Sequence, residues 1–304
     1  MRWFVGKNLS VSACLLPVFI LGGLFLPAAC GRNAGEWNSE RIAQDTDHRP
    51  LLPSRSPFSI PGDLSRLADT RYPRLSEMSE EERKEWRMFL AKEPLPRRVA
   101  AWAFLQVGTP YQGGALGEGT GLDTDPMIRF DVTDCTILNL VSVSLAHSEV
   151  SSETEAIRIA GYRPGETVAF ENRLHFTTDR LDVSPWFKDV TGRFRGARRH
   201  RVHLNRRRDG GRWIGIDWNR WRDVTYLPAE EAVSLFQDTD CPEVLGVGFT
   251  KRKILDDGLD MLHEGLLYRG ETVVHASSRR GRVILEPFSK MVRRYDGVVF
   301  FEYR

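Results

Sequence analysis

The sequence predicts an α+β fold. Helical signals crowd its first half, short β-type runs fill its second, and no internal repeat relates the two. The first helix begins near Ser76, where Ser79-Glu80-Glu81-Glu82 fits a capping box, with serine first and glutamate three positions on. A second helix spans about Pro96 to Val107, with Val99, Trp102, Ala103 and Leu105 on its apolar face, and stops at Gly108-Thr109-Pro110-Tyr111. A third starts at Cys135, where Ile137, Leu138, Leu140, Val141 and Leu145 form a buried stripe that Asp134 or Thr133 can cap. Beyond residue 160, Trp213 to Trp218 alternates weakly and Val244 to Phe249 alternates with glycine. Short apolar runs follow at Gly265–Tyr268, Thr272–His275, Arg282–Leu285 and Gly297–Phe301. Arg269-Gly270-Glu271 and Ser278-Arg279-Arg280-Gly281 separate three of them, which describes an antiparallel meander.

Composition sets the outer bounds. The chain has 304 residues, 41% hydrophobic and 28% charged, enough for one large core or two small ones. A formal net charge of +2 gives no global preference for nucleic acid or acidic partners, and no nucleic-acid partner is expected. Near-average glycine (26) and proline (16) exclude fibrous and wholly disordered classes.

Residues 1–29 read as an export signal: Arg2 and Lys7, then an apolar stretch from Val11 to Leu26, then Pro27-Ala28-Ala29-Cys30. Leu26-Pro27-Ala28-Ala29-Cys30-Gly31 resembles a bacterial lipoprotein box, with proline where leucine is usual. Lipidation of Cys30 is expected, with ordinary signal cleavage and a retained anchor as alternatives; the apolar stretch is short for a membrane span. Residues 30–72, rich in Arg, Asp, Ser and Pro, read as a flexible tether, leaving 73–304 as the folded domain. The expected location is the periplasm or outer membrane of a bacterium, with membrane contact through the lipid. Export leaves Cys135 and Cys241 in the domain; they could pair in an oxidising compartment, but Cys241 reads as a partly buried structural thiol.

A thiol in the first turn of a helix feels the positive end of the helix dipole, which raises its thiolate fraction. A cysteine nucleophile also needs a base, and the base an orienting group. Of seven histidines, His48 lies in the tether, His147 at the far end of the Cys135 helix, and His200 and His203 in an arginine-rich stretch. His175, His263 and His275 remain. His263 and His275 sit on neighbouring predicted strands, and a three-residue loop at Arg269-Gly270-Glu271 would put both on one face, roughly 7 Å apart as diagonal neighbours. A two-residue loop would separate them.

Gly108-Thr109-Pro110-Tyr111-Gln112-Gly113-Gly114, Asp134-Cys135-Thr136, His263 and His275-Ala276-Ser277 occur in the order seen in the NlpC/P60 superfamily of papain-like cell-wall peptidases, which the chain resembles. Arg173-Leu174-His175-Phe176 and the segment Gly258 to Gly265 resemble its DUF1460 branch, the N-acetylmuramoyl-L-alanine amidase-like proteins. The resemblance covers roughly residues 95–304. It implies a papain-like core in which Cys135 attacks an amide, His263 is the base and His275 holds His263. The Cys135 N–H would help form an oxyanion hole with Tyr111 close by. Arg173 and His175 would line the pocket and meet substrate carboxylates. The implied substrates are peptidoglycan fragments, cut between muramic acid and L-alanine, with no metal and no organic cofactor. The wider superfamily implies an alternative, cleavage between D-glutamate and the diamino acid. A catalytically silent cell-wall-binding lipoprotein is the alternative from another class.

Two departures from the resemblance stand out. Glu264 follows the first histidine where relatives carry a small apolar residue; on a strand it points away from the face of His263. Residues 193–212 read as a basic insertion, with Arg193, Arg195, Arg198, Arg199, Arg201, Arg206, Arg207 and Arg208 in a solvated loop or hairpin. Its aromatics are too few for a nucleic-acid stacking platform. The sequence does not indicate an oligomeric state.

Overall fold

The computed structural model describes residues 60–238 and 241–304; the signal and lipidation readings, and most of the tether, lie outside them. Among the described residues the α-helices are α1 (Glu80–Leu90), α2 (Leu95–Leu105), α3 (Cys135–Ala146), α4 (Glu153–Gly161), α5 (Thr177–Val183), α6 (Ala229–Asp238), α7 (Arg252–Leu255) and α8 (Phe288–Val292). The strands are β1 (Phe187–Asp189), β2 (Arg198–Leu204), β3 (Arg220–Pro228), β4 (Val244–Thr250), β5 (His263–Tyr268), β6 (Thr272–Ser277), β7 (Arg282–Pro287) and β8 (Gly297–Tyr303). They form one antiparallel sheet in the order β2-β3-β8-β4-β5-β6-β7, with β1 also on β8.

The helices start where their capping chemistry places them. Ser79 Oγ accepts from the Glu82 N–H at 3.2 Å while Glu82 accepts from the Ser79 N–H at 2.7 Å, the reciprocal pair expected of a capping box. Asp134 caps α3 by accepting from the N–H groups of Thr136 at 3.0 Å and Ile137 at 2.8 Å. Pro94 precedes α2, and Pro96 sits in its first turn, where a missing N–H costs nothing.

Apolar cores cover both faces of the sheet. On one, α2 and α3 bury Trp102, Phe104, Leu138 and Val141 with Leu266, Val274 and Phe301. On the other, Phe288, Met291 and Val292 pack with Phe249, Leu267, Val273 and Phe300. This side division follows the strand alternation of β5 and β6, so neighbouring residues serve different cores.

Three expectations are corrected. Residues 60–72 are not all tether: Leu64 and Leu67, in the 3-10 turn Leu64–Ala68, are fully buried, and the Leu64 N–H donates to Tyr268 Oη at 3.1 Å. The folded unit therefore includes these residues, because leucines well before the first periodic helix pack in the core. Trp213 to Trp218 is loop rather than strand. The basic stretch is not a loop but the hairpin alternative: it contains β2, paired along its whole length with β3, with Val202, Leu204, Val224 and Tyr226 buried and Arg198, Arg199 and Arg201 exposed.

Candidate active site

The hairpin between β5 and β6 sets the geometry. Leu266 pairs with Val274 and Tyr268 with Thr272, leaving Arg269, Gly270 and Glu271 as a three-residue loop. Arg269 (φ 51°) and Gly270 (φ 68°) both take left-handed backbone, and the Glu271 N–H closes the turn on the Tyr268 carbonyl at 3.1 Å. This odd loop puts His263 and His275 on one face. His263 Nε2 lies 2.8 Å from His275 Nδ1, with the rings edge-to-face. Gly265 leaves the space: a β-carbon there would come within 3.1 Å of His275 Cβ and 2.8 Å of the Val274 carbonyl.

Behind His275 stands a residue the sequence reading passed over. Glu286 pairs with Val273 across β6 and β7, two positions from the Ile284 that faces His275, and so shares its face. Glu286 Oε2 lies 3.3 Å from His275 Nε2, close but poorly aligned for a hydrogen bond, and is held by Arg294 at 2.6 Å. Burial lowers the pKa of His275 to about 4 against the pull of Glu286. Burial, with the neighbouring His275 and Arg294 charges, drives His263 well below its usual value. Both imidazoles are therefore neutral at pH 7.

Cys135 is the first residue of α3 and is buried. The same turn reaches β5 beside His263: Thr136 Oγ1 approaches Glu264 Oε1 at 3.4 Å and Asn139 Nδ2 donates to Glu264 Oε2 at 3.3 Å. Cys135 and His263 thus each flank a contacting pair. Glu264 points to the helix side, away from His263, and also bonds Arg180 and Thr177. Cys135 is disulfide-bonded, whereas Cys241 is a free thiol that burial pushes up to about 11. The two domain cysteines are not paired with each other.

The Gly108–Gly114 segment is stitched between Cys135 and the sheet. The Thr133 N–H donates to the Pro110 carbonyl at 3.0 Å, the Tyr111 N–H to Gly281 at 2.8 Å, and the Gly114 N–H to the Asp134 carboxylate at 2.9 Å. The Tyr111 hydroxyl is buried with no hydrogen-bond partner among the described residues. Burial and the Asp134 charge push its phenol upward, so it stays a donor.

A cleft of about 620 Å³ opens beside the α3 start, lined by Asp134, Thr136 and Ile137 and by both Arg173 and His175. Neither of the latter pair is available as expected. Arg173 is committed to Glu118 (2.6 and 2.8 Å), Asp123 (3.0 Å) and the Leu116 carbonyl (2.9 Å). His175 Nε2 donates to the Phe170 carbonyl at 2.7 Å, and burial lowers its pKa to about 4. Both hold the cleft wall; neither offers a free cation. Arg212, Trp213, Ile214 and Gly215 also line the cleft, an outcome no local pattern announced.

Residues 101–298 match the AmiA-like sequence family, described as N-acetylmuramoyl-L-alanine amidase-like. No curated protein sequence matches the chain. Among solved structures, a Legionella pneumophila protein of the DUF1460 family superposes with a TM-score of 0.58 at 19% identity, covering 75% of this chain and 95% of that one. An N-acetylmuramoyl-L-alanine amidase from Bacteroides uniformis superposes with a TM-score of 0.55 at 18% identity, covering 69% of this chain and 99% of that one. At these identities the structures share the fold: mixed helices on an antiparallel sheet.

Proposed function

Because the chain belongs to the N-acetylmuramoyl-L-alanine amidase-like family, we propose that it hydrolyses the amide joining the lactyl group of muramic acid to L-alanine in peptidoglycan fragments, with Cys135 as nucleophile. The observation that carries this is the His263–His275 pair at 2.8 Å, one residue from the contact between β5 and the first turn of α3. The core is of the NlpC/P60 papain-like type in this proposal.

Its proton path follows from the tautomers. If His263 accepts the thiol proton at Nδ1, its resting proton is on Nε2 and is donated to His275 Nδ1. His275 then carries its own proton on Nε2, toward Glu286. The Cys135 thiolate attacks the amide carbon, and the oxyanion is received by the Cys135 N–H and the Tyr111 hydroxyl. Collapse breaks the C–N bond as His263 returns the proton to the leaving L-alanine nitrogen. Water, deprotonated by His263, then releases the lactyl carboxylate from the thioester. Glu286 offsets the charge that His263 and His275 share while the proton is held.

This chemistry needs a thiol at Cys135. Export and lipid anchoring remain part of the proposal. The test is mass spectrometry of muropeptides after incubation with reduced protein, with Cys135→Ala as control. Free stem peptide beginning with L-alanine is the expected product. Sugar retaining L-Ala-D-Glu would mean a D-glutamyl endopeptidase instead, and unchanged substrate with folded wild type would leave a silent wall-binding protein.

A further inference from the structure

Two arginines line the cleft, and they differ in what already holds them. Arg173 is mostly buried and its guanidinium faces the buried carboxylates of Glu118 and Asp123. Arg212 has a side chain 45% exposed, and its one carboxylate partner, Asp217 at 2.7 Å, is fully exposed. An exposed pair of this kind is worth little, so an incoming carboxylate can replace Asp217 at small cost. The other charged side chains of the lining are acidic: Asp123, Asp125 and Asp134. Asp123 is held by Arg173, and Asp134 accepts backbone N–H groups. An anionic group entering the cleft is therefore attracted at the Arg212 end and repelled elsewhere.

The loop that carries Arg212 is preorganised without regular secondary structure. Asn205, 1% exposed and left-handed at φ 61°, sits where β2 ends. Its Oδ1 accepts the N–H groups of Trp213 at 3.1 Å and Ile214 at 2.8 Å. Its Nδ2 donates to the carbonyls of Ile216 at 3.3 Å and Trp218 at 3.0 Å. The Trp213 indole N–H donates to the Asp257 carbonyl at 2.6 Å, and the Arg207 guanidinium lies 5.1 Å over its ring. One buried amide thus fixes the chain that follows Arg212, from Trp213 to Trp218, so little entropy is lost when a ligand meets it.

We propose that Arg212 is a specificity-determining residue that receives a free carboxylate of the peptide stem, with Asn205 as the residue that positions its loop. This rests on the proposed amidase activity for its substrate class. It moves the carboxylate-binding duty from Arg173, whose donors are spent, to a residue of the segment read as a basic insertion.

The test compares N-acetylmuramoyl-L-alanyl-D-glutamate with its diamide, in which both carboxyls of the glutamate are amidated, using the full chain with Cys135 reduced. Wild type should prefer the diacid in kcat/KM by about tenfold or more, the scale of one charge-assisted hydrogen-bonded pair. Arg212→Ala should bring that ratio toward one, chiefly through KM. Arg212→Lys, which keeps the charge but not the fork, should retain part of it. Thermal melting of both variants monitors folding. An Arg212→Ala protein with the wild-type ratio, or a wild type with no preference, overturns the proposal. If wild type cleaves neither compound, the amidase proposal fails, and calorimetric binding to Cys135→Ala protein decides this one. Tighter binding of the diacid that is lost in the added Arg212→Ala change upholds the subsite; equal or absent binding of both overturns it.

Discussion

Glu264 illustrates how much one residue can alter at this site. It is buried, bonded to Arg180, Thr177, Thr136 and Asn139, and Asn139 in turn accepts from Tyr303 Oη at 2.8 Å. The network ties the first turn of α3, next to Cys135, to β5, α5 and β8 on the side of β5 away from His263. Arg180 is fully buried, and its Nε and Nη1 have no hydrogen-bond partner among the described residues. Removing the Glu264 charge would leave that guanidinium uncompensated. Glu264→Gln is therefore expected to cost about 3–5 kcal/mol in urea unfolding, while the double change Glu264→Val with Arg180→Met should be near neutral. A near-neutral Glu264→Gln would show that the pair contributes little. In turnover, His263→Ala should lose about 10²–10⁴-fold if it is the base. His275→Ala should lose less, and its pH profile should shift because His263 loses its fixed tautomer.

At the scale of elements, the hairpin loop and Gly265 decide whether the two histidines meet. Deleting Glu271 makes a two-residue loop and would turn one histidine to the opposite face. The expected result is a folded sheet with activity reduced at least about 10²-fold, the scale of losing a general base; an active deletion variant would refute the role of the pair. Gly265→Ala should reduce activity too, since its methyl meets the backbone at Val274 and the Cβ of His275. The cost in stability should be about 1–3 kcal/mol of overpacking. Loop parity was legible in the sequence because a side-chain period of two allows only two answers. The bounds of β2 and β3 were not legible beyond a loop-or-hairpin choice: their apolar positions are sparse among charged and polar residues, and pairing with each other and of β3 with β8 makes them strands.

Across the whole molecule, buried histidines set the response to pH. His175, His263 and His275 are held below their ordinary value of 6.5, the first and last at about 4. As pH falls below about 6.5 the unfolded chain takes up protons that the folded chain refuses, so stability is lost from there toward pH 4. Asp260 acts oppositely. Burial raises its carboxyl from 3.8 to about 6, so the folded chain keeps a proton that the unfolded chain releases, and stability is gained as pH falls from about 6 to 4. Three groups against one predict a lower urea midpoint at pH 5 than at pH 7. An equal or higher midpoint would mean that these imidazoles reach solvent.

Short-range chemistry determined a good deal. Cap residues and apolar spacing located α1, α2 and α3, Cys135 at the start of the last among them, and residue spacing named His263 and His275 as a pair. These are readable because they depend on residues a few positions apart along the chain. Tertiary structure decided the rest. It placed Glu286 behind His275 through the β6–β7 register, and it spent the charge of Arg173 on Glu118 and Asp123, 55 and 50 positions away. It also brought Arg212 to the cleft through a single buried asparagine. Such placements depend on which distant backbones share a sheet and which charges are desolvated together, quantities that no local pattern of residues records.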